Sequence, residues 1–290
     1  MDRAAQFLAG QGWRVSAADG VFAREQRFAG PDELRASDLH AFATDRNLDV
    51  AVCARGGYGV TRLLGAIDFT AIANAGVPVV GYSDFTAFNL ALLARARAIS
   101  FQGPSAADFA AAGTDADAAY CAEHFFGALG SSGYALEFIA AAVPSPPPAL
   151  SVRGRLWGGN LSMVCALLGT PYFPRVTGGI LFLEDVNEPA YRIERMLLQL
   201  LQAGVLGRQK AIVLGDFAPV PSMANDNGFD LAAVWSSLQE RCAVPLVGGL
   251  PFGHGRRRVT LPVGAPAQLS VREGRVQLRF HGHPTVRAAR

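Results

Sequence analysis

The chain has 290 residues, half of them apolar, and 26 Lys and Arg against 24 Asp and Glu give a formal net charge of +2. That length supports one large domain or two ordinary ones with a sizeable core. The balance of charge offers no nucleic-acid footprint, no apolar run reaches the roughly 18 residues of a membrane span, and the opening MDRAAQFLAGQGWRV is too polar for a secretory signal.

The first twelve residues fit a helix and Trp13-Arg14-Val15 a short strand. Residues 31–47 fit a second helix, with Pro31 at its start and acids in its first turn. Leu48 to Cys53 reads as a strand, Arg55-Gly56-Gly57-Tyr58-Gly59 as a tight loop, and 60–75 as helix or turn. The apolar run Val77-Pro78-Val79-Val80 makes 77–82 a strand. A helix follows over 85–97, with Phe85, Phe88, Leu92 and Leu93 at spacings of three and four, and then a short strand at 99–101. Strands alternating with helices imply an α/β protein, a parallel sheet with helices on its faces.

That pattern breaks over 134–154, where Val143-Pro144-Ser145-Pro146-Pro147-Pro148 can continue neither a helix nor a central strand. The stretch reads as a linker between a domain of residues 1–133 and one of residues 155–290, with a rigid loop inside one domain as the alternative. Beyond it come a helix over 162–168 and a strand over 179–184. A helix opened by Pro189 then carries Ile193, Met196, Leu197, Leu200 and Leu201 on one face. Strands at 210–215 and 244–249 flank a helix near 229–241, and 259–280 reads as short antiparallel strands. Arg256-Arg257-Arg258 reads as a solvated loop. The cysteines Cys53, Cys121, Cys165 and Cys242 form no CxxC pair and read as reduced core residues of a cytoplasmic protein, not as a disulfide frame or a zinc site.

Ser83 stands where the strand 77–82 meets the next helix. A serine there is either an N-cap or a nucleophile on a strand-to-helix elbow, held clear of the sheet beside unpaired helix N–H groups. Gly81 matches the first glycine of the G-x-S-x-G elbow, but Phe85 replaces the second. A nucleophilic serine needs a base, and the base an orienting acid. His254, between Gly253 and Gly255 just past a strand, is the candidate base, and Glu184, ending the apolar strand 179–183, the candidate acid. A loop histidine without a role and an acid at a helix start are the competing readings. The loop at 56–59 fits no nucleotide-binding pattern, but its backbone, with the Asp84 N–H, offers an oxyanion hole.

Taken together, Arg55-Gly56-Gly57-Tyr58-Gly59, Gly81-Tyr82-Ser83-Asp84-Phe85-Thr86, Gly158-Gly159-Asn160-Leu161, Leu183-Glu184-Asp185 with Glu188, and Gly253-His254-Gly255 followed by Leu261-Pro262-Val263-Gly264 resemble the LD-carboxypeptidases. These are serine peptidases of the murein tetrapeptide carboxypeptidase and microcin-immunity type. The resemblance implies a flavodoxin-like parallel-sheet N-terminal domain carrying the serine and a β-rich α/β C-terminal domain carrying acid and base. It implies a Ser83–His254–Glu184 triad, an oxyanion hole from the N–H groups of Gly57 and Asp84, and no metal or cofactor. It further implies a cytoplasmic homodimer that releases the terminal D-Ala of murein tetrapeptide during cell-wall recycling. Trp157, Gly158 and Asn160 are the expected substrate contacts, and Trp157 is also the candidate aromatic for a nucleotide base. Family members begin with an apolar strand that this chain lacks before its first helix, so a central strand is expected to be missing or the sheet rebuilt. The alternatives are an immunity-type peptidase of peptidyl- or aminoacyl-nucleotides and a non-catalytic α/β ligand-binding module. An ordinary α/β-hydrolase is disfavoured by the incomplete elbow and the absence of an HGGG-type loop.

Overall fold

The computed structural model describes every residue except Met1, Ala142, Pro219, Ser222 and 287–290. The N-terminal half holds α1 (Asp2–Gly10), α2 (Asp32–Thr44), β1 (Ala51–Val52), α3 (Phe69–Ala75), β2 (Val79–Val80), α4 (Thr86–Ala96), β3 (Ser100–Gln102) and α5 (Ala116–Gly130). The C-terminal half holds β4 (Ala135–Ile139), β5 (Ala149–Asn160), α6 (Leu161–Leu167), β6 (Ile180–Val186) and α7 (Ala190–Gln202). It continues with β7 (Ala211–Ala218), α8 (Leu231–Arg241), β8 (Leu246–Gly248), β9 (Leu261–Val263), β10 (Pro266–Arg272) and β11 (Arg275–Phe280).

Local chemistry accounts for the boundaries. Asp68 accepts from the N–H groups of Thr70 and Ala71 to start α3, and Gly76, at φ 73°, ends it. Along α7, Ile193, Met196, Leu197 and Leu200 are buried at the spacing of one helix face. Helix α4 is buried on every side from Thr86 to Leu93, as a helix enclosed between layers must be. In β10 and β11 buried and open positions alternate, one face on the core and one towards solvent.

Two sheets result. The first runs β1-β2-β3-β9, parallel but for the last strand, and the second runs β4-β11-β10-β5-β6-β7-β8. β5, β6, β7 and β8 are parallel, and β4, β11, β10 and β5 antiparallel. One apolar core joins them, taking in Phe88 and Leu90 of α4 together with Leu181 of β6 and Val213 of β7. The chain itself also stitches them. β9 pairs with β3, and directly after it Gly264 N donates to Leu156 O while Leu156 N donates to Ala265 O. The far ends of the second sheet approach one another, because Ala141 N donates to Gly248 O. A Cβ at Gly248 would lie 2.0 Å from the Ala141 carbonyl oxygen, so only glycine fits there.

Two expectations change. The supposed linker 134–154 contains β4 and the first half of β5; only the prolines between them are a connection, and Ala142 is outside the described residues. Trp13-Arg14-Val15 is not a strand, and Trp13 instead stacks on Phe126 of α5, a helix not expected from the sequence. The first sheet ends at β1, whose strand neighbour among the described residues is β2.

A core and a strand crossing shared by both halves predict one unfolding transition. Trp13, against Phe126, reports on the first half and Trp235, against Phe217, on the second. Urea titrations of two variants, each retaining one of these tryptophans, are expected to give coincident fluorescence midpoints.

Candidate active site

Ser83 follows β2 at φ 63°, the left-handed region that a residue with a Cβ enters only under constraint. Gly81 makes room for the turn: a Cβ there would lie 2.6 Å from the Phe85 ring. Tyr82 occupies the helix-cap position, with no capping bond from its side chain. The Ser83 hydroxyl is not spent on the helix; it lies 2.9 Å from Nε2 of His254.

His254 follows β8 on a loop that includes Gly249 (φ 92°) and Gly253 (φ 147°). A Cβ at Gly253 would lie 2.8 Å from the Asp216 side chain, so the loop crosses β7 at glycine distance. Nδ1 of His254 is 2.7 Å from Oε2 of Glu184. Glu184 sits at an irregularity in the β6–β7 register, between Leu183 and Asp185, and such bulges re-aim side chains beside functional sites. The two neighbouring acids serve different partners. Glu184 meets His254, while Asp185 accepts from the N–H and hydroxyl of Ser162 and from the Asn160 amide. The His254 side chain is 20% exposed and that of Glu184 0%, so the imidazole links an open surface to a dry carboxylate. Oε1 of Glu184 is buried without a hydrogen-bond partner among the described residues.

The glycine loop meets the elbow from the other side. Gly57 has φ 136°, and a Cβ at Gly56 would lie 3.8 Å from the Ser83 hydroxyl oxygen. Asp84 fixes this loop through its side chain. Its carboxylate accepts from Val60 N at 2.7 Å. Burial pushes the Asp84 carboxyl up, against the pull of the nearby Val60 and Gly59 N–H groups. The sequence pointed to the Asp84 N–H but not to this tether, whose signal is an acid 24 residues from the loop it holds.

The other expected contacts turn out to be structural. Trp157 is fully buried, edge-on to Phe173, and its indole N–H donates to Gln209, so it cannot face a substrate. Gly158 is glycine because a Cβ would lie 1.9 Å from Phe182 O on the adjacent strand. Asn160 is buried, caps α6 by accepting from Met163 N, and receives its own place from Thr86, whose hydroxyl accepts from Asn160 N. This last bond ties the elbow helix to the end of β5.

Other potential nucleophiles and bases are engaged elsewhere. Burial pushes the thiols of Cys53 up to about 11 and Cys165 up to about 12, leaving them protonated at neutral pH. His124 bonds Tyr134 and His283 bonds Ala128 O, and burial lowers both imidazoles. Among the described residues no group of three or more His, Cys, Asp or Glu could hold a metal ion.

Against known proteins, residues 1–103 match the LD-carboxypeptidase N-terminal domain and residues 153–269 the LD-carboxypeptidase C-terminal domain. The murein tetrapeptide carboxypeptidase of Pseudomonas aeruginosa is 32% identical over 254 residues, 86% of this chain and 81% of that protein. The crystal structure of muramoyltetrapeptide carboxypeptidase from Oxalobacter formigenes superposes with a TM-score of 0.89 at 41% identity, covering 98% of this chain and 94% of the other. A microcin C7 self-immunity protein has a TM-score of 0.82 at 20% identity over 98% of this chain and 91% of its own, a likeness of fold.

Replacing Asp84 by Ala strips the Val60 N–H of its acceptor, and urea titration is expected to show a loss of about 1–3 kcal/mol. Asp84→Asn keeps one acceptor oxygen and removes a buried charge, so its loss is expected to be smaller. Because the folded-state pKa of Asp84 is raised, its ionisation opposes folding. Its contribution therefore favours the fold at low pH and is lost as pH rises through the folded pKa. Stability of Asp84→Asn measured against pH should lack that component.

Proposed function

The chain belongs to the LD-carboxypeptidase family, and on that footing we propose that it is a serine carboxypeptidase hydrolysing the L-D bond that holds the terminal D-Ala of a murein tetrapeptide. The observation that carries this reading is the unbroken hydrogen-bonded line from Ser83 through His254 to Glu184, at 2.9 and 2.7 Å. The peptide names of the relatives from Pseudomonas aeruginosa and Oxalobacter formigenes support the substrate class.

In this mechanism Ser83 Oγ attacks the scissile carbonyl while Nε2 of His254 takes the hydroxyl proton. Glu184, accepting from Nδ1–H, holds the tautomer that leaves Nε2 free and stabilises the imidazolium that forms. His254 then returns the proton to the departing D-Ala nitrogen, and water repeats the sequence on the acyl-enzyme. The N–H groups of Gly57 and Asp84 stabilise the oxyanion; the left-handed turn at Ser83 and the Asp84 carboxylate support that role by fixing where both lie. A cytoplasmic site of action in cell-wall recycling and a homodimer belong to the same proposal. The alternative, a peptidase of peptidyl- or aminoacyl-nucleotides, loses its candidate stacking residue because Trp157 is enclosed.

Purified protein is expected to release D-Ala from murein tetrapeptide, and Ser83→Ala to reduce that release by roughly a thousandfold or more. Equal release by the variant would refute the serine mechanism. Folded protein that releases none, but hydrolyses an aminoacyl-nucleotide, would shift the substrate class. Activity should fall on acidification, since an imidazolium cannot accept the serine proton; a rate unchanged between pH 8 and pH 5 would remove His254 as the base.

A further inference from the structure

The loop that carries His254 continues into three consecutive arginines, and each reaches an acid in the N-terminal half. Arg256 pairs with Asp115 at 2.7 Å and Asp117 at 2.8 Å, Arg257 with Asp117 at 2.8 Å, and Arg258 with Asp108 at 3.2 Å. Arg256 and Arg257 lie in the open, and the side chain of Arg258 is 5% exposed. The triplet is therefore not a solvated loop. Its outer two members dock on the start of α5, and the third turns inward.

What Arg258 touches brackets both reacting side chains. Its Nε donates to Gly253 O at 2.7 Å and its Nη2 to Gly255 O at 3.5 Å, the carbonyls on either side of His254. Its guanidinium carbon stands 3.8 Å from the centre of the Tyr82 ring, and that ring packs against the His254 imidazole at 5.4 Å between centres. Tyr82 is the residue before Ser83. Asp108, which neutralises the guanidinium, is itself held by the N–H and hydroxyl of Ser105. One planar cation thus meets the backbone on both sides of the base and, through one aromatic ring, the elbow of the nucleophile. A lysine supplies the charge but neither the fork nor the plane.

We infer that Arg258 is the positioning residue of this site, fixing His254 at bonding distance from Ser83 by clamping the Gly253 and Gly255 carbonyls and stacking on Tyr82. The inference rests on the hydrolase reading only for its consequence on rate; the geometry it describes is independent of substrate.

The test compares wild type with Arg258→Met, Arg258→Lys and the double variant Arg256→Ala/Arg257→Ala. Three quantities are measured: the melting temperature, the low-field NMR signal of the His254 Nδ1 proton shared with Glu184, and the rate at which a fluorophosphonate labels Ser83. Arg258→Met is expected to lose or broaden the proton signal and to label about a hundredfold more slowly, the scale of a misplacement near 1 Å. Arg258→Lys is expected to fall between the two. The double variant should keep the signal and label within about threefold of wild type, because exposed ion pairs contribute little. A folded Arg258→Met with wild-type signal and rate overturns the inference. Should that variant not fold, Arg258→Lys decides, and wild-type behaviour there overturns it equally. A wild-type protein that shows the shared proton, yet neither labels nor releases D-Ala, would sink the hydrolase reading. The proton signal in the variants would then judge the inference alone.

Discussion

A carboxylate buried at the end of a sheet strand is the constraint around which the rest is arranged. Glu184 has no exposed surface, and its one hydrogen-bond partner among the described residues is an imidazole 70 residues further along the chain. Removing an ionised group from water costs several kcal/mol unless a partner compensates. The order β6-β7-β8 meets this need, because the loop after β8 returns across β7 to the acid on β6. The glycines along that return, Gly249 and Gly253, are where the backbone has to adopt left-handed conformations or pass another strand closely.

From that anchor, polarity and exposure change in steps. Glu184 is dry, the His254 side chain is one-fifth open and Ser83 is half-buried. In the proposed mechanism a proton leaving Ser83 moves towards lower dielectric, where the fixed carboxylate stabilises the resulting cation more strongly than water-screened groups would. The N-terminal half contributes a strained turn and a glycine loop around Ser83, and the C-terminal half contributes His254 and Glu184. Neither half alone contains the hydrogen-bonded line, and bonds between the halves, from Thr86 to Asn160 and from Arg258 to Asp108, lie beside it.

Much of the arrangement was legible because local signals carried it. A valine run closing on glycine marked the elbow, a histidine between glycines after a strand marked the candidate base, and an acid ending an apolar strand marked the carboxylate that bonds it. Side-chain destinations were harder. Trp157 beside two glycines looked like a lining residue, but β5 is buried on both faces from Leu156 to Asn160, and there Gln209 satisfies the indole N–H. The proline run suggested separation of domains, yet the flanking residues 135–139 and 149–160 are strands of one sheet whose partners, β11 and β10, come more than a hundred residues later. The arginine triplet looked solvated for the same reason: Asp115 lies 141 positions before Arg256 and Asp117 140 before Arg257, at the start of α5, and Asp108, the partner of Arg258, lies further back still. Period and turn chemistry are local; pairing at such separations is not.

The placement of β9 has a consequence for biosynthesis. This strand completes the sheet of the N-terminal half, although it lies at Leu261–Val263, beyond the histidine loop. During translation the first sheet therefore stays one strand short until residue 263 has emerged, and β3 waits with an unpaired edge. Ser83 is synthesised early, but its partner His254 comes 171 residues later, immediately ahead of the strand that closes this sheet. Until both have emerged, the elbow has neither its imidazole neighbour nor a completed sheet behind it.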